Sequence, residues 1–327
     1  MSSRSTHIFK SIDDLDLKVD IIYPSSLTSA STAVLYLHGG GLTGFNREHL
    51  PPHIVQSCLL RNWPIISADY RLMPQASAQD MLEDVISAYY FVHKRLRELL
   101  NFKKLENEKI SIILMGSSAG AYLSYIAKPH LSPPPVAVFI YYGCPTVHDP
   151  KNYFSSSKTL FNETPYPESR FAHFLTGPPS INPTPSFFPI FNSSSLLPNF
   201  SRDPTYKPLP KGEFEDRSSL FLWLVQENKL PELWKVVDQG LESEVWKGFG
   251  KTIIVHGDQD DLIPYYMAKQ AVNVDLGPHD SQLFTAIGKK HGWDMPLFLG
   301  DPGLKEVEEA WEALDEIILK AQGGPSS

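Results

Sequence analysis

Three stretches of this chain, Thr32 to His38, Ile110 to Met115 and Val136 to Tyr142, are strand-length and apolar almost without interruption. A strand with one face in water alternates apolar and polar residues, whereas a strand covered on both faces does not. Between the first and second runs lies Ala78 to Leu100, where Met81, Val85, Ala88, Tyr89 and Val92 recur at spacings of three and four. That is the apolar stripe of an amphipathic helix, and Ser77 stands ready as its N-cap. Ala119 to Ala127 reads as a helix directly after the second run. Val19 to Tyr23 and Pro64 to Tyr70 add two more strands. Doubly buried strands alternating with helices require an α/β fold: a mostly parallel central sheet with helices on both faces.

The pattern stops near Cys144 and resumes at Thr252. Of the 28 prolines, 13 fall between Pro145 and Pro210. Proline at that density ends helices and central strands. Yet Tyr153, Phe154, Phe161, Phe171, Phe174, Phe187, Phe188, Phe191 and Phe200 crowd the same stretch, and a disordered tether is poor in aromatics. The expectation is an irregular packed insertion over 146–250, a lid, with short helices at Ser218 to Gln226, Leu230 to Asp238 and Glu242 to Trp246. It divides the core into 1–145 and 251–327. The second part is expected to hold strands at Thr252 to Val255 and Leu283 to Ile287, and a helix at Tyr265 to Val274. A last helix, from about Leu304 to Lys320, would bury Leu304, Val307, Trp311, Leu314 and Ile318.

Charge and cysteine content narrow the function classes. The 29 basic and 37 acidic residues give a net charge of −8, so no basic face is on offer to replace counterions on a nucleic acid. Cys58 and Cys144 are too few for a disulfide framework and read as buried thiols. No run is long and apolar enough for a membrane span, and the first ten residues lack the apolar core of a secretory signal. The expected location is therefore the cytoplasm, where Asn162, Asn192 and Asn199, each opening an Asn-x-Ser/Thr tripeptide, would be chance matches. Oligomeric state leaves no mark in the sequence.

Gly116-Ser117-Ser118-Ala119-Gly120 sits where a buried strand meets a helix. Gly-x-Ser-x-Gly at that junction makes a nucleophile elbow, so tight that the neighbours two positions either side of the serine must lack bulk. The glycine spacing centres on Ser118 and leaves Ser117 as the rival. A serine hydroxyl needs a base to take its proton, and a histidine base needs a carboxylate to hold its tautomer. Downstream, Val255-His-Gly-Asp-Gln-Asp-Asp-Leu-Ile-Pro264 follows a strand and offers Asp258, Asp260 and Asp261; position alone leaves all three open. His291 follows its own strand and is followed by Gly292, which makes it the preferred base over His256 and His279. Upstream, His38-Gly39-Gly40-Gly41 ends a strand. Amides of such a loop, with that of Ala119, are suited to an oxyanion hole. No Gly-Lys-Ser/Thr follows it to make a phosphate loop, and no His-Glu-x-x-His zinc pattern occurs.

His-Gly-Gly-Gly, Asp69-Tyr-Arg-Leu-Met-Pro74, Gly-Ser-Ser-Ala-Gly, His-Gly-x-x-Asp-x-x-Ile-Pro and a final His-Gly, in that order, resemble the α/β-hydrolase superfamily. The likeness is to the hormone-sensitive-lipase-like and plant-carboxylesterase-like serine esterases, and it covers about 1–145 and 251–322. It implies an α/β-hydrolase fold with an inserted lid and no cofactor or metal. It also implies Ser118 as nucleophile, His291 as base, Asp260 as acid, and Gly40, Gly41 and Ala119 as oxyanion donors. Asp69, Tyr70 and Arg71 would support the sheet and the glycine loop. Three positions depart from the family's habit: Leu42 where an aromatic is common, Ser117 where Asp is common, and Gln75 where Glu is common. They bear on substrate preference more than on the serine chemistry.

The resemblance implies hydrolysis of a carboxylic ester through an acyl-enzyme. A lid rich in phenylalanine and proline points to a fairly large apolar or aromatic small-molecule substrate; a lactone, a thioester or an acetylated natural product would suit the site. The same residues would serve an acyltransferase or a formamidase. A non-catalytic ligand-binding protein on this fold is the alternative of another class.

Overall fold

The computed structural model describes residues 2–101, 110–147, 164–181, 217, 219–234, 249–276 and 280–323. Eight strands form one sheet: β1 (Ser2–Ile12), β2 (Leu15–Pro24), β3 (Thr32–Leu37), β4 (Ile65–Ala68), β5 (Ser111–Ser117), β6 (Ala137–Tyr141), β7 (Thr252–Gly257) and β8 (Ser281–Ala286). Their order is β1-β2-β4-β3-β5-β6-β7-β8. The β1–β2 and β2–β4 pairs are antiparallel. Every pair from β4 to β8 is parallel.

The helices are α1 (Pro52–Leu60), α2 (Ala78–Leu99), α3 (Ala119–Ala127), α4 (Ser219–Gln226), α5 (Leu230–Trp234), α6 (Tyr265–Gln270) and α7 (Lys305–Ala321). The period-two geometry of the strands sorts one sequence onto the two faces of the sheet. Ala33, Leu35 and Leu37 of β3 and Leu114 of β5 pack with Met81, Val85 and Tyr89 of α2 and with α3. Val34 and Tyr36, Ile113 and Met115, and Phe139 and Tyr141 point the other way, toward α1 and α7. All five expected stripe residues of α7, from Leu304 to Ile318, are buried there. This double cover is why the strands read as continuous apolar runs.

Ser77 caps α2 as expected, in a reciprocal capping box with Asp80. The strand expected over Pro64 to Tyr70 is shorter, Ile65–Ala68, because the residues after it leave the sheet to serve the loops. Asp69 accepts from the Lys18 amide and from the amide and guanidinium of Arg47. Tyr70 donates to the carbonyls of His38 and Gly39. Arg71 grips the buried Asp84 of α2 through Nε and Nη2. The supporting role expected of these three residues is thus what their contacts do.

Two elements escaped the sequence reading. Helix α1 starts on Pro51 and Pro52 and has too few turns to build a clear period. β1 alternates half-buried and exposed positions at the sheet edge, a polar pattern easily taken for an unstructured start. The helix expected over Tyr265 to Val274 is α6 followed by a π-helical turn, Ala271–Leu276.

Of the 146–250 stretch, two short 3₁₀ turns (Glu168–Arg170 and Ala172–Phe174), α4 and α5 are described. Phe171, Leu220, Trp223, Leu224 and Leu230 join the same core as α2. The helix expected at 242–246, Tyr153, the six phenylalanines at 154, 161, 187, 188, 191 and 200, His279 and the three Asn-x-Ser/Thr sites lie outside the described residues. Cys58 and Cys144 are both buried free thiols. Among the described residues, no helix is long and apolar enough to cross a membrane.

Candidate active site

The site sits at the carboxyl ends of β3, β5, β7 and β8, where a parallel sheet gathers its loops. Ser118 stands between β5 and α3, at the N-cap of the helix, with φ 52° and ψ −116°. A left-handed serine costs on the order of 1–3 kcal/mol and persists only where its surroundings impose it. They do so here. A methyl at Gly116 would meet the backbone of Gly120, and one at Gly120 would meet the carbonyls of Leu37 and His38. The two glycines therefore let α3 run hard against the end of β3. The Ser118 amide is held by the Tyr141 carbonyl at 2.9 Å.

His291 Nε2 lies 2.9 Å from Ser118 Oγ, and His291 Nδ1 lies 2.8 Å from Asp260 Oδ2. An ionised carboxylate only accepts, so Nδ1–H donates to it. Nε2 is then left to accept the Ser118 hydroxyl proton. The edge of Tyr142 packs on the His291 ring at 4.8 Å between centroids.

Asp260 is itself fixed. Its Oδ1 accepts from the amides of Leu262 and Ile263 at 2.9 and 2.8 Å, and His256 Nε2 lies 3.2 Å from its Oδ2. Burial by itself would raise the Asp260 carboxyl; the charge of His291 and hydrogen bonds from His256 and His291 outweigh burial and hold it well below the ordinary carboxylate range.

The rivals are separated by geometry. Asp258 caps the Gly288 amide at 2.6 Å, and Asp261 pairs with the exposed Lys290. His256 is fully buried and donates to the Ile263 carbonyl. Ser117 Oγ points to the other face of the sheet, 2.7 Å from the Tyr36 hydroxyl.

The glycine loop is a run of left-handed residues: Gly40 (φ 100°), Gly41 (φ 61°) and Leu42 (φ 62°), with Phe45 (φ 67°) beyond. The Gly40 carbonyl closes it by accepting from the amides of Thr43 and Gly44. Behind it, His38 stacks on Tyr70 with ring centroids 4.1 Å apart. Burial, opposed by a hydrogen bond to the Gly39 carbonyl, pulls the His38 imidazole down to about 3. It is a neutral structural histidine.

Gly41, Ser118 and Ala119 line one cavity with Leu42, Tyr122, Phe221 and Ile263, of about 360 Å³ including its open mouth. Gly40, expected as a third oxyanion donor, is not among the residues that line it; its carbonyl is taken up inside the loop by the Thr43 and Gly44 amides. Phe221, from α4, reaches over Gly41 so closely that a methyl there would meet its Cβ at 2.6 Å. The sequence reading named no cavity residue from the 146–250 stretch. A single phenylalanine among so many carries no signal of its own. Among the described residues, no three His, Cys, Asp or Glu side chains converge as metal ligands would.

The same fold occurs in known structures. An α/β hydrolase superfamily protein from Enterococcus faecalis superposes with TM-score 0.65 at 17% identity, over 97% of this chain and 99% of that one. The chain has the α/β-hydrolase fold. The native structure of an esterase, Est2, from Thermogutta terrifontis shares this hydrolase fold with TM-score 0.55 at 16% identity, over 97% of this chain and 92% of that one. The BD-FAE family model matches residues 19–129, the part of the hydrolase core that carries the glycine loop and the serine elbow.

Among curated proteins, a probable carboxylesterase M8 from a Phoma species is 21% identical over 92% of this chain and 93% of its own length. The non-reducing polyketide synthase atr1 of Stereocaulon alpinum is 25% identical over 88% of this chain. This chain spans only 12% of that synthase's length.

Proposed function

We propose that this chain is a serine hydrolase that cleaves a carboxylic ester through an acyl-enzyme. The observation that carries the reading is the unbroken hydrogen-bonded series Ser118–His291–Asp260 opening on the cavity that Gly41 and Ala119 line. Ser118 Oγ attacks the ester carbonyl while its proton passes to His291 Nε2. The Gly41 and Ala119 amides stabilise the negative charge that develops on the carbonyl oxygen. Collapse of this tetrahedral species breaks the bond to the alcohol, which leaves with the proton from Nε2. Water then attacks the acyl-serine and gives its proton to Nε2. The second collapse releases the acid and returns the proton to Ser118. Asp260 keeps the imidazole in the productive tautomer and stabilises its cationic form. The oxyanion donors act because they bind the tetrahedral species more tightly than the planar ester.

Residues 146–250 act as the lid and set the substrate. Leu42, Tyr122, Val147, Phe221, Leu262 and Ile263 make the cavity wall predominantly apolar. That favours an apolar or aromatic acyl group of modest size. Similarity to proteins named polyketide synthases favours, as a second reading, a polyketide-type thioester as acyl donor, with water or an alcohol as acceptor.

The test is hydrolysis of p-nitrophenyl esters from acetate to decanoate by wild type and Ser118→Ala. Turnover by wild type that falls by about 10⁴-fold or more in the variant is the expected result. A wild type as inert as the variant on every one of these esters would overturn the reading and leave ligand binding on this fold.

A further inference from the structure

Arg217 is the one residue described between 182 and 218, and it is buried, with 8% of its surface exposed. Its guanidinium reaches across 174 positions of sequence to donate from Nε to the Thr43 carbonyl at 2.8 Å. Its Nη2 donates to the Met73 carbonyl at 2.9 Å and to Gln75 Oε1 at 2.5 Å. The planar head also covers the Phe174 ring at 5.4 Å. Gln75 extends the clasp by donating from Nε2 to the Phe174 carbonyl at 2.5 Å. All three acceptors are neutral, and burial pulls the guanidinium below its ordinary value. A buried cation with neutral acceptors is a costly arrangement, retained where its fixed fork of donors is needed.

What it grips is the glycine loop. Leu42 and Phe45 are non-glycine residues in the left-handed region, a conformation that needs outside support. Past Gly39, whose carbonyl accepts from Tyr70, two carbonyls of the loop are tied to described residues outside it. Leu42 accepts from the Met73 amide at 2.8 Å, and Thr43 accepts from Arg217. Because Arg217 also holds the Met73 carbonyl, one guanidinium joins both tethers. Thr43 is fully buried, so without Arg217 its carbonyl would lose its partner away from water. One turn along, Phe221 covers Gly41.

We propose that Arg217 is a positioning residue for the oxyanion loop: through Thr43 and Met73 it holds the left-handed turn that sets Gly41 and Leu42 in the wall of the Ser118 cavity. Turnover then depends on a residue outside the α/β core. Gln75, at a position where the resembling family commonly has Glu, is the neutral partner that completes the clasp. The catalytic consequence rests on the serine hydrolase reading; the structural one does not.

The test compares wild type with Arg217→Met, which keeps the stem and loses the donors, Arg217→Lys, which keeps one charged donor group, and Gln75→Leu. Hydrogen exchange of the 40–44 amides is measured in each, beside kcat and KM on the best p-nitrophenyl ester. In Arg217→Met the 43 and 44 amides lose protection while α3 keeps its own. Its kcat falls by roughly ten- to a hundredfold, short of the full loss of an oxyanion donor, and KM moves by less than about threefold. Arg217→Lys recovers part of kcat, and Gln75→Leu loses a few-fold. Wild-type protection at 43 and 44 in a folded Arg217→Met overturns the brace. Wild-type kcat, or a rise in KM alone, overturns its catalytic consequence. Should Arg217→Met not fold, Arg217→Lys and Gln75→Leu carry the test: both must loosen the loop, and wild-type exchange and kcat in both overturns the proposal. A wild type inert on every ester overturns the hydrolase reading, and the exchange data still decide the brace.

Discussion

Gly120→Ala puts the elbow geometry to a quantitative test. The added methyl would lie 2.5 Å from the His38 carbonyl oxygen, and closer still to that of Leu37, whereas ordinary contact begins at 3.4 Å. Both obstacles are backbone at the end of a central strand, so neither can swing aside. The start of α3 must retreat by about 1 Å. Ser118 Oγ sits at that start, 2.9 Å from His291 Nε2, and a retreat of that size takes it past hydrogen-bond distance. A 1 Å misplacement costs about a hundredfold in rate, and overpacking a tight contact costs on the order of 1–3 kcal/mol. The variant should therefore show kcat lowered about a hundredfold and a melting midpoint lowered by about 1–5 °C. The control is Gly300→Ala. Gly300 is also left-handed, at φ 87°, yet a methyl there would meet nothing within 4 Å. It should cost about 1 kcal/mol in stability and leave turnover intact. Both variants are compared by ester hydrolysis and thermal unfolding. A Gly120→Ala chain as fast as wild type, or a Gly300→Ala chain equally impaired in turnover, would refute the steric reasoning.

Asp260→Asn should lower kcat by about 10⁴-fold by losing the carboxylate that holds the His291 tautomer, while Asp258→Asn and Asp261→Asn stay within about threefold; ester turnover of the three separates them. Ser117→Ala removes the partner of the Tyr36 hydroxyl and should cost about 1 kcal/mol in urea unfolding with turnover retained, the opposite of Ser118→Ala. Stability should fall with acid for two reasons of the same sign. His38, pulled down to about 3 in the fold, takes up its proton more readily when unfolded, so its contribution is complete above about pH 6.5 and declines as pH falls toward 3. Asp260, depressed in the fold, contributes stability above its unfolded value near 4 that is lost as pH falls through the folded one. His38→Asn should flatten the urea midpoint between pH 6.5 and 4, and an unchanged slope would remove His38 as the cause.

The parts of the fold that were legible are those whose cause is local. β3, β5 and β6 announced themselves because both faces of each are covered, and α2 because its stripe repeats over about three turns. β1 and α1 were missed for want of such a pattern: one is a half-wet edge, the other too short to show a period. The pentapeptide around Ser118 was readable because the constraint acts over two residues on either side. The acid was not, on spacing alone. Asp258, Asp260 and Asp261 lie within four positions of one another, and resemblance to known esterases had to single out Asp260. In space the three diverge: one caps the Gly288 amide, one faces Lys290 at the surface, and one turns inward to His291.

By itself the sequence determined the doubly covered parallel sheet, the elbow that exposes one serine and the glycine loop beside it, because periodicity and steric exclusion act between near neighbours. Only the tertiary structure decided what closes the site. The Asp260–His291 contact spans 31 residues, and the reach of Arg217 to Thr43 spans 174. A contact between residues so far apart depends on where the whole sheet and the 217–226 stretch come to rest. No local pattern marks one arginine, or one phenylalanine among many, as the residue that will meet the glycine loop.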